Sequence, residues 1–122
     1  FYLVDQILTS NHINHLINNL SKRCKSILII FESCNSGSIF ETYQNFIPKN
    51  VIILTSTDSN SSSYALYWDD AVGTFLGDQC VTSIAENLER AYTKRESISD
   101  LYLVSKIETQ DSKVSVFGNS SM

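Results

Sequence analysis

The sequence predicts an α/β domain built on a mostly parallel sheet. Three observations lead there. The run Ile27-Leu28-Ile29-Ile30-Phe31 is apolar without a break and then meets Glu32, Ser33, Cys34 and the small polar turn Asn35-Ser36-Gly37-Ser38. A second such run follows at Val51-Ile52-Ile53-Leu54. Segments with helical spacing flank both. Continuous β-branched runs are the mark of strands buried on both faces, and strands alternating with helices favour parallel pairing through crossovers.

The elements follow in order. Phe1-Tyr2-Leu3-Val4 reads as a short edge strand. Residues 11–22 carry Ile13, Leu16, Ile17 and Leu20 at i, i+3, i+4, i+7, with Ser10 available as the N-cap. Residues 26–31 form the first buried strand, 36–38 a loop, and 40–46 a helical turn that ends before Pro48. Residues 51–56 are the second buried strand and 58–63 a polar loop. The aromatic stretch 64–68 fits a strand or a pocket wall. Leu76-Gly77-Asp78 breaks the pattern, and Asp78 can cap the helix that runs to Ala91 through Val81, Ile84, Ala85 and Leu88. Residues 98–107 form a further helix through Leu101, Val104 and Ile107, and 113–117 a terminal strand stopped by Gly118. No repeat is present.

Composition narrows the function. At 122 residues, 43% of them hydrophobic, the chain is one domain at most and can bury a core. The formal charge is −4, and the nine Lys and Arg are scattered. Nucleic-acid binding needs a basic stripe, which is absent. No apolar stretch reaches membrane-spanning length. The chain begins at Phe1 and its only methionine is Met122, so it is expected to be a piece of a longer protein. Cys24, Cys34 and Cys80 are odd in number and lack Cys-x-x-Cys spacing. That argues against a disulfide framework and a zinc site, and leaves room for one pair plus a free thiol. No cofactor or metal is implied. Asn-x-Ser sequons occur at Asn19, Asn60 and Asn119.

Cys34 is the candidate nucleophile. A free cysteine is commonly an inert core residue. Here the small residues after it let a substrate backbone approach the sulfur, and they leave the Cys34 N–H able to face an oxyanion. Glu32, two residues earlier on a strand, shares a face with Cys34. A carboxylate beside a buried apolar run needs a partner. His12 and His15 are the only histidines. They read as surface residues on the first helix, poorly placed to activate Cys34.

The stretch Phe31-Glu32-Ser33-Cys34-Asn35-Ser36-Gly37-Ser38 resembles the Glu-Ala-Cys-x-Ser-Gly-Ser signature of the legumains, asparaginyl endopeptidases related to caspases. Three further stretches fall in the family's order. Ser62-Ser63-Tyr64-Ala65 resembles its Glu-Ser-Ser-Tyr/Trp segment, and Thr74-Phe75-Leu76-Gly77-Asp78 its Thr-Tyr/Cys-Leu-Gly-Asp. Ser112-Lys113-Val114 with Phe117-Gly118-Asn119 resembles its Ser-His-Val…Tyr-Gly-Asn.

The resemblance implies a caspase-like three-layer fold, present only in part, with residues 1–122 as the C-terminal portion of a single peptidase domain. It implies Cys34 as the catalytic nucleophile. Glu32, Ser63 and Asp78 would bind the side-chain amide of a substrate asparagine. The implied substrate is a protein or peptide cut after Asn, or after Asp at low pH, through a thioester on Cys34. Ser33 stands where the family has alanine, and Asn35 where glutamate is common. The family's His-Gly pair has no match. In caspases that histidine lies about 50 residues before the cysteine, which here falls before Phe1, so the isolated chain is expected to be inactive and poorly folded. A lysosomal, vacuolar or secreted location is implied as well. Two alternatives are a non-catalytic pseudo-peptidase interaction domain and a glycosylphosphatidylinositol transamidase-like subunit.

Overall fold

A computed structural model describes residues 5–91 and 97–119. The edge strand expected at residues 1–4 lies outside the described residues. The elements run α1 (Ser10–Ser21), β1 (Ile27–Phe31), α2 (Ser38–Glu41), a 3₁₀ turn (Gln44–Phe46), β2 (Val51–Thr55), β3 (Ala65–Asp69), β4 (Thr74–Asp78), α3 (Gln79–Ala91), α4 (Ile98–Glu108) and β5 (Ser115–Gly118).

The central sheet has the order β1-β2-β5. β1 and β2 run parallel in the register Ile27 opposite Val51 to Phe31 opposite Thr55. The pairings β2–β5 and β3–β4 are antiparallel. The expected mostly parallel pairing therefore holds, among the described strands, for β1–β2 alone. The hairpin has a physical reason. Residues 70–73 are too short a link for a crossover and permit only an antiparallel return. The run that looked like a break at Leu76-Gly77-Asp78 is strand β4.

β2 is the spine of the molecule, and all five of its residues are buried. Val51 and Ile53 join Ile13 and Ile17 of α1, Phe40 of α2 and Phe117 of β5. Leu54 faces the other way, with Cys80 and Ile84 of α3, Leu101 of α4 and Val114. So β2 earns its unbroken apolar sequence by having helices over both faces. β1 does not. Ile27, Ile29 and Phe31 pack on the α1 side, whereas Leu28 and Ile30 are 40% and 41% exposed. The expectation of a fully buried strand 26–31 is thus corrected to a half-buried one. The α3–α4 pair covers β2 and the strand end at Val114 and Val116 and leaves β1 uncovered.

Local signals set the helix starts. Thr9, not Ser10, caps α1. Its extended backbone lets Oγ1 accept the His12 N–H at 3.3 Å, while the Thr9 N–H donates to His12 Nδ1. Ser10 is already helical. Ser97 and Asp100 form the same reciprocal pair on α4. Gly118 ends β5 at φ +95°, and a Cβ there would sit 2.2 Å from the Val51 carbonyl oxygen. Only glycine fits.

Phe40 is fully buried and stacks between Phe31 and Phe117, with ring centroids at 5.7 and 5.9 Å. Phe40→Ala is expected to lower the stability of the parent protein by about 4 kcal/mol. A urea-unfolding midpoint within error of wild type would contradict this packing.

Candidate active site

The site begins where β1 runs out. Past Phe31 the chain turns tightly through residues 33–37, and the end of β2 holds that turn in place. The Ser33 N–H donates to Ser56 Oγ at 3.2 Å, and Ser56 Oγ donates to the Ser33 carbonyl at 3.3 Å. The Ser36 N–H donates to Thr57 Oγ1 at 2.9 Å, and the Ser36 hydroxyl meets Thr57 Oγ1 at 3.0 Å and Ser56 Oγ at 3.4 Å. The Gly37 N–H donates to the Thr57 carbonyl at 3.1 Å. Ser36, Ser56 and Thr57 are all buried, so each hydroxyl needs a partner and finds it in this cluster. A Cβ on Gly37 would lie 2.8 Å from the Asp58 carbonyl carbon, so the close approach of turn and loop requires glycine.

Cys34 sits at the apex of this turn, and its side chain is exposed. Asn35 is in the left-handed region at φ 55°, which asparagine tolerates. It ties the turn to the polar loop by donating its N–H to the Ser61 carbonyl and its Nδ2 to the Ser59 carbonyl, each at 2.9 Å. The loop thereby brings Ser63 to the thiol, and the Ser63 N–H reaches Cys34 Sγ at 3.4 Å. Among the described residues the Cys34 N–H donates to no protein acceptor.

Ser63 also joins the two acids. Its Oγ lies 2.5 Å from Glu32 Oε1 and hydrogen-bonds Asp78 Oδ2. A hydroxyl has one proton, so it donates to one carboxylate at a time. Burial, and then the neighbouring Asp78 carboxyl, push Glu32 up from 4.5 to about 7, against the opposing pull of the Ser63 and Ser56 hydroxyls. A protonated Glu32 can donate to Ser63 and leaves the Ser63 proton for Asp78. Glu32 Oε2 is buried and has no partner among the described residues. Asp78 also caps α3, accepting the Val81 N–H at 2.8 Å through Oδ1.

The four residues singled out from the sequence therefore converge. Their route differs from the one expected. β1 stops at Phe31, so Glu32 and Cys34 meet through their common neighbour Ser63, not by strand alternation. His12 and His15 are both exposed on α1, and His12 is engaged in the helix cap. Cys80 is buried beneath the acids, and its thiol is pushed up to about 12 by burial first and by Glu32 and Asp78 next. All three cysteines are free, so the pair left open by the sequence does not form. Among the described residues no His, Cys, Asp and Glu side chains gather as a metal site, and no helix is long and apolar enough to cross a membrane.

Sequence reasoning missed Ser56 and Thr57, and it met Ser112 only as part of a family match, with no role of its own. Thr55-Ser56-Thr57 is a polar run at the end of an apolar strand, a signal for buried hydroxyls with a local task. Ser112 Oγ donates to the Ser62 carbonyl at 3.3 Å, and Lys113 pairs with Asp58 at 3.5 Å, so both ends of the loop are anchored.

An exposed thiol just past the carboxyl end of a parallel strand, beside two half-buried carboxyls, is a layout that suits a cysteine hydrolase. The comparisons make the class specific. The Peptidase C13 family model matches residues 4–122, and the chain belongs to that family of cysteine-type peptidases. It is 30% identical to Legumain of Mus musculus over 103 residues, covering 83% of this chain and 23% of that protein. The Vacuolar-processing enzyme beta-isozyme of Arabidopsis thaliana is 31% identical, covering 80% of this chain and 23% of the relative. Legumain of Canavalia ensiformis is 30% identical, covering 80% and 22%. The chain thus spans about a quarter of the length of the curated relatives it matches.

Two outcomes test this geometry. Iodoacetamide should label Cys34 and Cys24 in the native protein and spare Cys80; labelling of Cys80 at a comparable rate would contradict its burial. Glu32 also ties stability to pH. Its folded pKa is raised, so the folded state binds the proton more tightly, and that stabilisation is complete below 4.5 and lost as pH rises to about 7. Glu32→Gln should flatten the fall in the urea midpoint across that window, and an unchanged slope would contradict the shift.

Proposed function

We propose that residues 1–122 are the C-terminal portion of a legumain-like peptidase domain, the later strands of a caspase-like three-layer fold whose remaining strands belong to the parent protein. The parent is proposed to be a cysteine endopeptidase that cleaves after Asn, and after Asp at low pH, in a lysosome or vacuole. One observation carries this reading: Ser63 touches the Cys34 sulfur with its N–H and both carboxyls with its hydroxyl.

A primary amide has two N–H donors and one carbonyl acceptor. Asp78 and the unpartnered Oε2 of Glu32 supply acceptors for the donors. The one proton of Glu32 is engaged with Ser63, so the donor for the carbonyl is proposed to come from elsewhere in the parent, and when Asp replaces Asn in the substrate, acidic pH keeps the like charges from meeting. A leucine of similar shape would leave these groups unpaired, which is how such a pocket discriminates.

In the proposed reaction the Cys34 thiolate attacks the main-chain carbonyl carbon of the substrate Asn. The exposed sulfur and the small residues behind it admit the peptide, and the unpaired Cys34 N–H is free to receive the oxyanion. Collapse of the tetrahedral species expels the amine and leaves a thioester, which water or another amine resolves. Both histidines of the chain are exposed on α1, so the base that deprotonates Cys34 is proposed to come from elsewhere in the parent.

The test uses the full-length parent and a fluorogenic Asn peptide at a pH below the about 7 of Glu32. Cys34→Ala should lose activity by a factor of about 10³ or more. Asp78→Asn should lower kcat/KM for the Asn peptide by about 10- to 100-fold, the loss of a hydrogen bond to a charged group. Equal turnover by wild type and Cys34→Ala would remove Cys34 from the mechanism, and no turnover by either would favour a pseudo-peptidase scaffold.

A further inference from the structure

The loop that brings Ser63 to the thiol also carries the sequon Asn60-Ser61-Ser62. We propose that Asn60 carries an N-linked glycan at the rim of the Cys34 cleft, where it screens the site from folded proteins and leaves it open to short peptides. The inference rests on the lysosomal or vacuolar reading above, which routes the parent through the compartment where such glycans are added.

Three features single out Asn60. Its side chain is exposed, and the contact it makes is from Nδ2 to the Ser59 hydroxyl at 3.1 Å. A glycosylated amide keeps one N–H, so even that contact survives. The loop backbone is held on either side of it. The Ser59 and Ser61 carbonyls accept hydrogen bonds from Asn35, the residue that follows Cys34. The root of the glycan is therefore fixed beside the cysteine turn. It also lies three residues from Ser63, so no more than about 11 Å of extended chain separates their Cα atoms. Asn119, by contrast, is half-buried, and its Nδ2 donates to the Lys49 carbonyl at 3.3 Å. Asn19 is exposed on α1, an element with no hydrogen bond to the cysteine turn among the described residues.

The chemistry is a group transfer from a lipid-pyrophosphate-linked oligosaccharide. A bond forms between Asn60 Nδ2 and the sugar's anomeric carbon, the sugar–pyrophosphate bond breaks, the lipid pyrophosphate leaves with the electron pair, and one amide proton is lost. The transferring enzyme reads the hydroxyl two residues on, here Ser62.

A branched glycan of this kind is bulky and solvated. Anchored beside the thiol, it obstructs a folded protein that must bring a broad surface up to the cleft. An extended peptide occupies only the cleft. The two substrate classes should respond differently to its removal.

The test is made on the full-length parent from secretory-competent cells, with glycopeptide mass spectrometry before and after peptide N-glycosidase. Asn60→Gln and Ser62→Ala should each lose one glycan relative to wild type, and Ser62→Thr should keep it. Asn60→Gln should raise kcat/KM for a folded protein substrate by about threefold and leave that for a short Asn peptide unchanged. A bare Asn60 in a protein glycosylated at Asn19 or Asn119 overturns the site and leaves the compartment reading standing. A parent found in the cytosolic fraction with no glycan anywhere overturns both. A glycan on Asn60 whose loss changes both substrates equally overturns the screening role.

Discussion

The structure of this site depends on one shared proton. Ser63 faces two carboxyl groups with a single hydroxyl hydrogen, and Glu32 resolves the conflict by holding a proton of its own up to about pH 7. Two ionised carboxylates this close, partly out of water, would repel each other. The protonated acid turns repulsion into a chain of hydrogen bonds.

Everything else in the fold serves to hold that arrangement next to sulfur. β2 is the rigid member, clasped by α1 and α2 on one face and by α3 and α4 on the other. Just past its end, Ser56 and Thr57 bind the cysteine turn. The loop that follows is fastened to Lys113 at its start, to Asn35 in its middle and to Ser112 at its end. The β3–β4 hairpin then carries the chain out and back, from Ser63 to Asp78. Residues 15 positions apart in sequence thereby meet at one hydroxyl. The hairpin itself is largely exposed, with Trp68 stacked edge-on against Phe75 at 5.1 Å.

Much of this was legible in the sequence. Helical spacing placed α1, α3 and α4 within a residue or two, although only part of each stripe is buried: Ile13, Ile17, Ile84 and Leu101 are inside, whereas Leu16, Leu20, Val81, Leu88 and Ile107 are exposed. β2 was legible because its apolar run is buried throughout. β1 has the same kind of sequence but was misread, since composition does not say which face a neighbouring helix will cover; Leu28 and Ile30 are apolar and exposed. β4 was missed because Gly77 looks like a break, although an exposed strand in a hairpin accommodates it. The four candidate residues, which the fold brings together, came from ordered resemblance to a family. Periodicity alone offered only Glu32 and Cys34, and for a geometric reason that did not hold. Ser56 and Thr57 escaped notice because hydroxyl residues at a strand end look like ordinary loop, and only the coordinates show how deeply they are buried.

The most direct measurement is a ¹³C NMR titration of the Glu32 side-chain carboxyl in the full-length protein. The account predicts a midpoint near 7, raised by burial and by Asp78, and a lower midpoint in Asp78→Asn. A Glu32 midpoint at its ordinary 4.5, unmoved by that substitution, would contradict the shared-proton pocket.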